Sequence, residues 1–176
     1  DTVPHGRLLS KLLGYGIQGK VLSWIGVFLT GRRQWVVVRG EASGWEWVRS
    51  GVPQGSVLGP ILFLIYINDI TEGIRSEAYL FADDMKLFGR VADIRDSMIL
   101  QTDLDTVMCW TKKWLLSLNS GKCKVLSMGK GAGSFGYEID NGSLRVKLEG
   151  SCLERDLGVQ VESELTFKEH IWGKVK

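Results

Sequence analysis

The segment Tyr79-Leu80-Phe81-Ala82-Asp83-Asp84-Met85-Lys86-Leu87-Phe88 sets two adjacent carboxylates between two apolar runs. Tyr79 to Ala82 and Met85 to Phe88 read as strands, with Asp83-Asp84 at the tip of their hairpin. Neighbouring carboxylates repel each other. A divalent cation relieves that repulsion, since Mg²⁺ takes hard oxygen ligands and keeps one or two carboxylates together with substrate phosphates. Phosphoryl transfer suits such a site, because metal ions there clamp the attacking and leaving oxygens. Taken alone, the dipeptide reads more simply as a solvated turn, where Asp is common. Its surroundings carry the decision.

Upstream, Gly51-Val52-Pro53-Gln54-Gly55-Ser56 is too rich in breakers to be regular. It feeds a helix over Val57 to Ile70 that is apolar nearly all round, so deep burial is expected. Before it, Arg7 to Leu13 reads as a helix behind Pro4, with Leu8, Leu9, Leu12 and Leu13 on one face. Ile17 to Leu29 is a second, with Ile17, Val21, Trp24, Ile25, Phe28 and Leu29 in its stripe. Gln34 to Arg39 and Trp45 to Arg49 read as strands around a turn at Gly40 to Gly44.

Downstream, Ile94 to Leu118 is helical, with Leu100, Leu104, Val107, Leu115 and Leu118 on one face. Asn119 and Gly121 end it. Lys124 to Met128 is a short strand and Gly129 to Gly136 a loop. Asn141-Gly142, between Tyr137-Glu138-Ile139 and Leu144-Arg145-Val146, signals a type I′ hairpin. Asp156 to Val161 is one more strand. Thr166-Phe167-Lys168-Glu169 is a capping box that opens a last helix. The sum is α+β, an antiparallel sheet carried by helices, with no internal repeat.

Composition narrows the class. The chain has 176 residues, 44% of them hydrophobic, which suits a folded domain rather than disorder. Its net charge of +2 means that any nucleic-acid contact rests on local placement of charge. Cys109, Cys123 and Cys152 include no CxxC pair, so neither a disulfide framework nor a structural zinc site is expected, and a reducing, intracellular setting is. The run Val57 to Ile67 is shorter than the ~20 residues needed to span a bilayer, so no membrane association is expected. The seven tryptophans read as a Trp-rich core. His5 and His170 read as surface or packing residues. Arg32-Arg33, Lys112-Lys113 and Lys122/Lys124 read as solvated basic clusters able to touch phosphates. Ser56 could serve as an anion site at a helix N-terminus.

Together these residues resemble the reverse transcriptases of non-LTR (LINE-type) retrotransposons. Phe81-Ala82-Asp83-Asp84 is similar to the catalytic aromatic-x-Asp-Asp box. Gly51 to Pro60, followed by Tyr66-Ile67-Asn68-Asp69-Ile70, resembles the box that precedes it. Leu118-Asn119 through Lys122 resembles the next box. Leu157-Gly158-Val159 through Leu165 and His170 resembles the primer grip, and Asp1-Thr2-Val3-Pro4-His5 the tail of the first catalytic box. The resemblance implies a right-hand polymerase palm with partial fingers and the start of a thumb: about 1–160 fingers and palm, about 161–176 thumb. It implies RNA-directed DNA polymerisation with an RNA template, a DNA primer and deoxynucleoside triphosphates, supported by Mg²⁺ or Mn²⁺.

The resemblance also implies residue roles. Asp83 and Asp84 would hold the metal ions. Gln54 and Gly55, with Phe81 and Ala82, would meet the templating base and incoming nucleotide. Lys122 would assist proton transfer to pyrophosphate, although a solvated lysine after a helix end is as plain a reading. Leu157, Gly158 and Val159 would place the primer end. In that family a further carboxylate and an aromatic gate precede Asp-Thr-Val. Here the sequence starts at Asp1-Thr2-Val3, so the expectation is a fragment, inactive or nearly so, of a larger nuclear polyprotein with an endonuclease and a thumb. The alternative is a noncatalytic RNA- or protein-binding product of a retrotransposon remnant.

Overall fold

The computed structural model describes residues 2–129, 135–140 and 144–175. The chain divides into two units: Asp1–Glu72, Leu80–Met85 and Cys109–Ser117 form one, and Gly73–Tyr79, Lys86–Met108 and Leu118–Lys176 the other.

The first unit is built on helices. In α1 (His5–Gly14) the i, i+4 pair Leu8 and Leu12 is fully buried. Helix α2 (Gly19–Leu29) adds Ile25 and Leu29, and α3 (Leu58–Ile67) adds Leu62, Tyr66 and Ile67. Each such aliphatic side chain contributes about 1.5–3 kcal/mol on burial. Two expectations fail here. Ile61 and Leu64 of α3 are half exposed, so that helix buries one side only. Val21 and Trp24 of α2 also face outward, and its buried stripe is narrower than the periodicity suggests.

The hairpin region is four short strands: β1 (Arg33–Gln34), β2 (Val37–Val38), β3 (Glu41–Ala42) and β4 (Glu46–Trp47). β2 pairs with β3 and β1 with β4, both antiparallel. The turn is Arg39-Gly40, both at positive φ (52° and 88°), as a type I′ loop requires. It therefore precedes the expected turn at Gly40 to Gly44, because Arg39 itself adopts the left-handed conformation.

Helix α4 (Ile94–Trp114) stops four residues earlier than expected. Leu115 takes φ 54°, its amide donates to Lys112 O (3.4 Å), and the Leu116 amide donates to Thr111 O (3.0 Å). This is a Schellman stop made by leucine where glycine is usual, so no residue type announced it.

In the second unit β7 (Lys124–Leu126) pairs parallel with β10 (Glu149–Ser151). β8 (Glu138–Asp140) and β9 (Arg145–Lys147) form an antiparallel pair, as expected. Its turn residues, Asn141-Gly142, lie outside the described residues, as does most of the Gly129 to Gly136 loop. Tyr137, Ile139, Leu148 and Met108 make a small core. The expected single strand over Asp156 to Val161 is instead β11 (Leu153–Asp156) and β12 (Val159–Glu162), folded back at Leu157-Gly158. Among the described residues the strands pair two by two in six small sheets, where one antiparallel sheet was expected.

Helix α5 (Lys168–Val175) begins near the expected place by a different device. The Glu169 amide donates to Glu162 Oε1 (2.9 Å), and the Thr166 hydroxyl donates to Glu162 Oε2. Glu162, not a Thr166–Glu169 box, thus supplies the capping oxygen, and these bonds hold its carboxyl below the usual value.

The Trp-rich core does not form. Trp24, Trp35, Trp45, Trp47 and Trp172 are about half exposed or more, and only Trp110 and Trp114 pack against the first core. No described helix is long and apolar enough to cross a membrane.

Candidate active site

The acidic pair sits on the hairpin of β5 (Glu77–Phe81) and β6 (Asp84–Phe88). Two residues join the strands, Ala82 and Asp83. Ala82 has φ 52°, a left-handed value that costs a non-glycine residue roughly 1 kcal/mol and turns the chain within two residues. The tip is therefore shifted by one residue from the expected Asp83-Asp84. Asp83 lies in the loop, and Asp84 is the first residue of β6. Both are exposed. Among the described residues no side chain pairs with either. Phe81 and Ala82 precede them and are also exposed.

The donor chemistry suits a hard cation that takes most of its ligands from water and substrate. The fit is partial: among the described residues no group of three His, Cys, Asp or Glu side chains converges.

Gln54 and Gly55 form a tight turn. The Ser56 amide donates to Pro53 O (3.3 Å), and Gly55 has φ 78° at the third position, where a type II turn demands glycine. Gln54 stands exposed at its crest. The Ser56 hydroxyl donates to Pro53 O (2.7 Å) and accepts the Gly59 amide (2.9 Å), so it caps α3 instead of offering an anion site. The loop is tied down from behind: the Gly51 amide donates to Val3 O (2.8 Å), and Arg32 donates to Gly51 O (3.3 Å). His5 packs as expected, buried with Nε2 2.9 Å from Gly51 O.

Lys122 ends a single 3₁₀ turn, Ser120–Lys122, and is exposed. Leu157, Gly158 and Val159 lie at the β11–β12 turn, with Leu157 and Gly158 both at positive φ (45° and 88°). The acidic pair, Gln54 and Gly55 belong to the first unit; Lys122 and Leu157 to Val159 belong to the second.

Two clusters escaped the sequence reading. Lys11 is only 6% exposed; it ion-pairs with Asp69, donates to Tyr66 O, and sits 4.6 Å and 4.0 Å from the Trp110 and Trp114 ring centroids. Burial lowers its pKa, and Asp69 works against that. Asp69 also accepts the Trp110 indole N–H at 3.0 Å. It is thus a counter-ion within the first unit. The one local signal was a lysine at i+3 between Leu8 and Leu12 on the apolar face. The second cluster is Lys86 with Asp156, an ion pair between β6 and β11. No local pattern marks a contact across so much chain.

Comparison with known proteins shows the family. Residues 1–161 match the family described as reverse transcriptase (RNA-dependent DNA polymerase). The chain is 32% identical to an RNA-directed DNA polymerase from mobile element jockey of Drosophila funebris, over 97% of this chain and 19% of that protein. It is 28% identical to a probable RNA-directed DNA polymerase from transposon BS of Drosophila melanogaster, over 97% and 20%. It is 27% identical to the Pol polyprotein from type-1 retrotransposable element R2 of Popillia japonica, over 72% and 22%. The chain spans about a fifth of the length of these relatives. It belongs to the reverse transcriptase family, in the branch of the non-LTR retrotransposons.

Proposed function

We propose that the chain is the palm of an RNA-directed DNA polymerase with part of its fingers, residues from about 161 opening a thumb. The observation that carries this is the β5–β6 hairpin, whose left-handed Ala82 presents Asp83 in the turn and Asp84 at the start of β6, both exposed and with no side-chain partner among the described residues. Asp83 and Asp84 would hold Mg²⁺ or Mn²⁺, which when bound would neutralise triphosphate charge and polarise the reacting oxygens. Gln54, on the crest of its turn, would lie against the templating base and incoming nucleotide, where Gly55 permits close backbone approach. Lys122 would hold a proton for the departing pyrophosphate. Leu157 to Val159 would seat the primer end. The two-carboxylate donor set supports the further reading that this chain alone extends primers poorly, because positioning and electrostatics supply most of the rate in phosphoryl transfer.

Primer extension on an RNA template, with the purified chain and with a longer parent frame, tests both statements. Extension by the longer protein that Asp83→Ala abolishes is expected. Robust extension by the 176-residue chain, lost in Asp83→Ala, overturns the poor-activity reading and upholds the polymerase one. Extension by the longer protein that survives Asp83→Ala overturns the assignment of the acidic pair. Salt-dependent RNA binding without extension by either protein favours the noncatalytic alternative.

A further inference from the structure

The β1–β4 ladder pairs Arg33 with Trp47 and Gln34 with Glu46. Directly opposed residues share a face, and residues two apart do so as well. Arg33, Trp35, Trp45 and Trp47 therefore line one face of the hairpin. Their contacts agree: Trp35 and Trp45 lie 4.0 Å apart between ring centroids, and the Arg33 guanidinium lies 5.6 Å and 5.2 Å from the Trp45 and Trp47 rings. Yet the three rings are 49%, 56% and 58% exposed. A cross-strand aromatic pair steadies a hairpin, which accounts for Trp35 on Trp45. It does not account for a third exposed ring, nor for an arginine laid along the row.

Charge says what would cover this face. Residues 32–49 carry four arginines and two glutamates, so the segment's net +2 equals that of the whole chain. Arg33, Arg39 and Arg49 are exposed, and among the described residues no carboxylate pairs with Arg33. Exposed aromatic faces beside exposed guanidinium groups match a polymer of stackable bases and phosphates. A purely apolar partner would leave those cations buried without counter-ions.

We propose that the Arg33–Trp35–Trp45–Trp47 face is a base-stacking platform for single-stranded nucleic acid, separate from the acidic hairpin. Identifying that strand as template rests on the polymerase reading; the binding itself does not. Trp35 and Trp45 take bases on their open faces, while Arg33 and Arg39 neutralise neighbouring phosphates. Sequence preference is weak, because every base has a π-face.

The test is fluorescence anisotropy of the purified chain with a labelled oligouridylate of about ten nucleotides. EDTA is present, so binding is independent of metal chemistry. Failure of extension then leaves this proposal standing, and failure of binding here leaves the polymerase reading standing. Trp35→Leu and Trp45→Leu keep an apolar side chain and remove the ring; each is expected to weaken binding about ten-fold. Arg33→Gln is expected to weaken binding and flatten its salt dependence. An abasic oligomer of equal charge is expected to bind the unaltered chain as weakly as the variants bind oligouridylate. Circular dichroism of the variants verifies their fold, and a set that unfolds is replaced by Trp35→Tyr and Trp45→Tyr, which should keep most of the affinity. Equal affinity for oligouridylate and the abasic oligomer, or leucine variants that are folded and bind normally, overturns the proposal. So does a dimer in sedimentation that Trp45→Leu dissolves, which would make this face an interface between copies.

Discussion

Lys86 on β6 is ion-paired with Asp156 on β11, across seventy residues of chain. Lys86 follows Asp84 by two positions, and Asp156 immediately precedes Leu157. Both partners lie in the second unit, where the pair joins Lys86 to the strand that enters the β11–β12 turn. Its side chains are 31% and 37% exposed, so solvent screens it, and a coupling of about 0.2–1 kcal/mol is expected. Lys86→Ala and Asp156→Ala should each lower the urea midpoint slightly, and the double variant should lose less than the sum. Strict additivity in that cycle would show that the contact carries no coupling.

The Lys11 cage should matter more. Lys11→Met removes the cation from three rings and leaves Asp69 with the Trp110 N–H. A loss on the order of 3 kcal/mol is expected, because a part-buried carboxylate loses its counter-ion. Lys11→Met combined with Asp69→Leu should regain much of it. Equal losses in the single and double variants, read by denaturant unfolding, would contradict this account.

Asp103 gives the second unit an acid-sensitive joint. It is 1% exposed and accepts the Arg75 and Ser76 amides at 3.1 Å and 2.8 Å. Burial pushes its carboxyl up, but the hydrogen bonds from Ser76 and Arg75 outweigh this and leave it below the ordinary value of 3.8. The unfolded chain then takes up this proton first as pH falls. The contribution is present in full above 3.8 and is lost as pH drops through the lower folded value. Asp103→Asn should cost about 1–3 kcal/mol near neutrality and flatten the acid limb of the stability profile. Urea unfolding across that range reads both effects.

Two glycine substitutions should have opposite signs. A Cβ at Gly59 would stand 2.6 Å from Pro53 O and 3.0 Å from Ser56 Oγ, so Gly59→Ala must displace the Gln54–Gly55 turn. About 1–3 kcal/mol of destabilisation is expected. In Gly26→Ala the nearest atom is Leu9 Cδ1 at 3.7 Å, an ordinary contact, and a helix-interior alanine should add about 0.5–1 kcal/mol. Thermal unfolding of the two variants distinguishes them; a Gly59→Ala protein as stable as the parent would refute the close approach.

Local spacing was enough to reveal much of this protein. Apolar runs flanking Asp83-Asp84, glycine at the turn after Gln54, and the period of Leu100, Leu104 and Val107 each depend on residues within a turn or two of one another. Those features placed the acidic hairpin, the loop ahead of α3, and α4, while the family was legible only through the resemblance of the motif residues themselves. The errors began where a residue adopted a conformation its type disfavours. Ala82 and Leu115 take positive φ with no neighbouring glycine or asparagine to announce it, and Arg39 and Leu157 do so one residue ahead of a glycine; together they shifted turns, ended a helix and split a strand. Tertiary structure alone decided which apolar residues are inside. Trp110 and Trp114 pack against a buried lysine, while Trp35, Trp45 and Trp47 stand in solvent, although all five are the same residue. It also decided the partners of Lys11, Lys86 and Asp103. Burial and ion pairing arise from elements that meet only after the chain has folded, and no local periodicity encodes which elements those are.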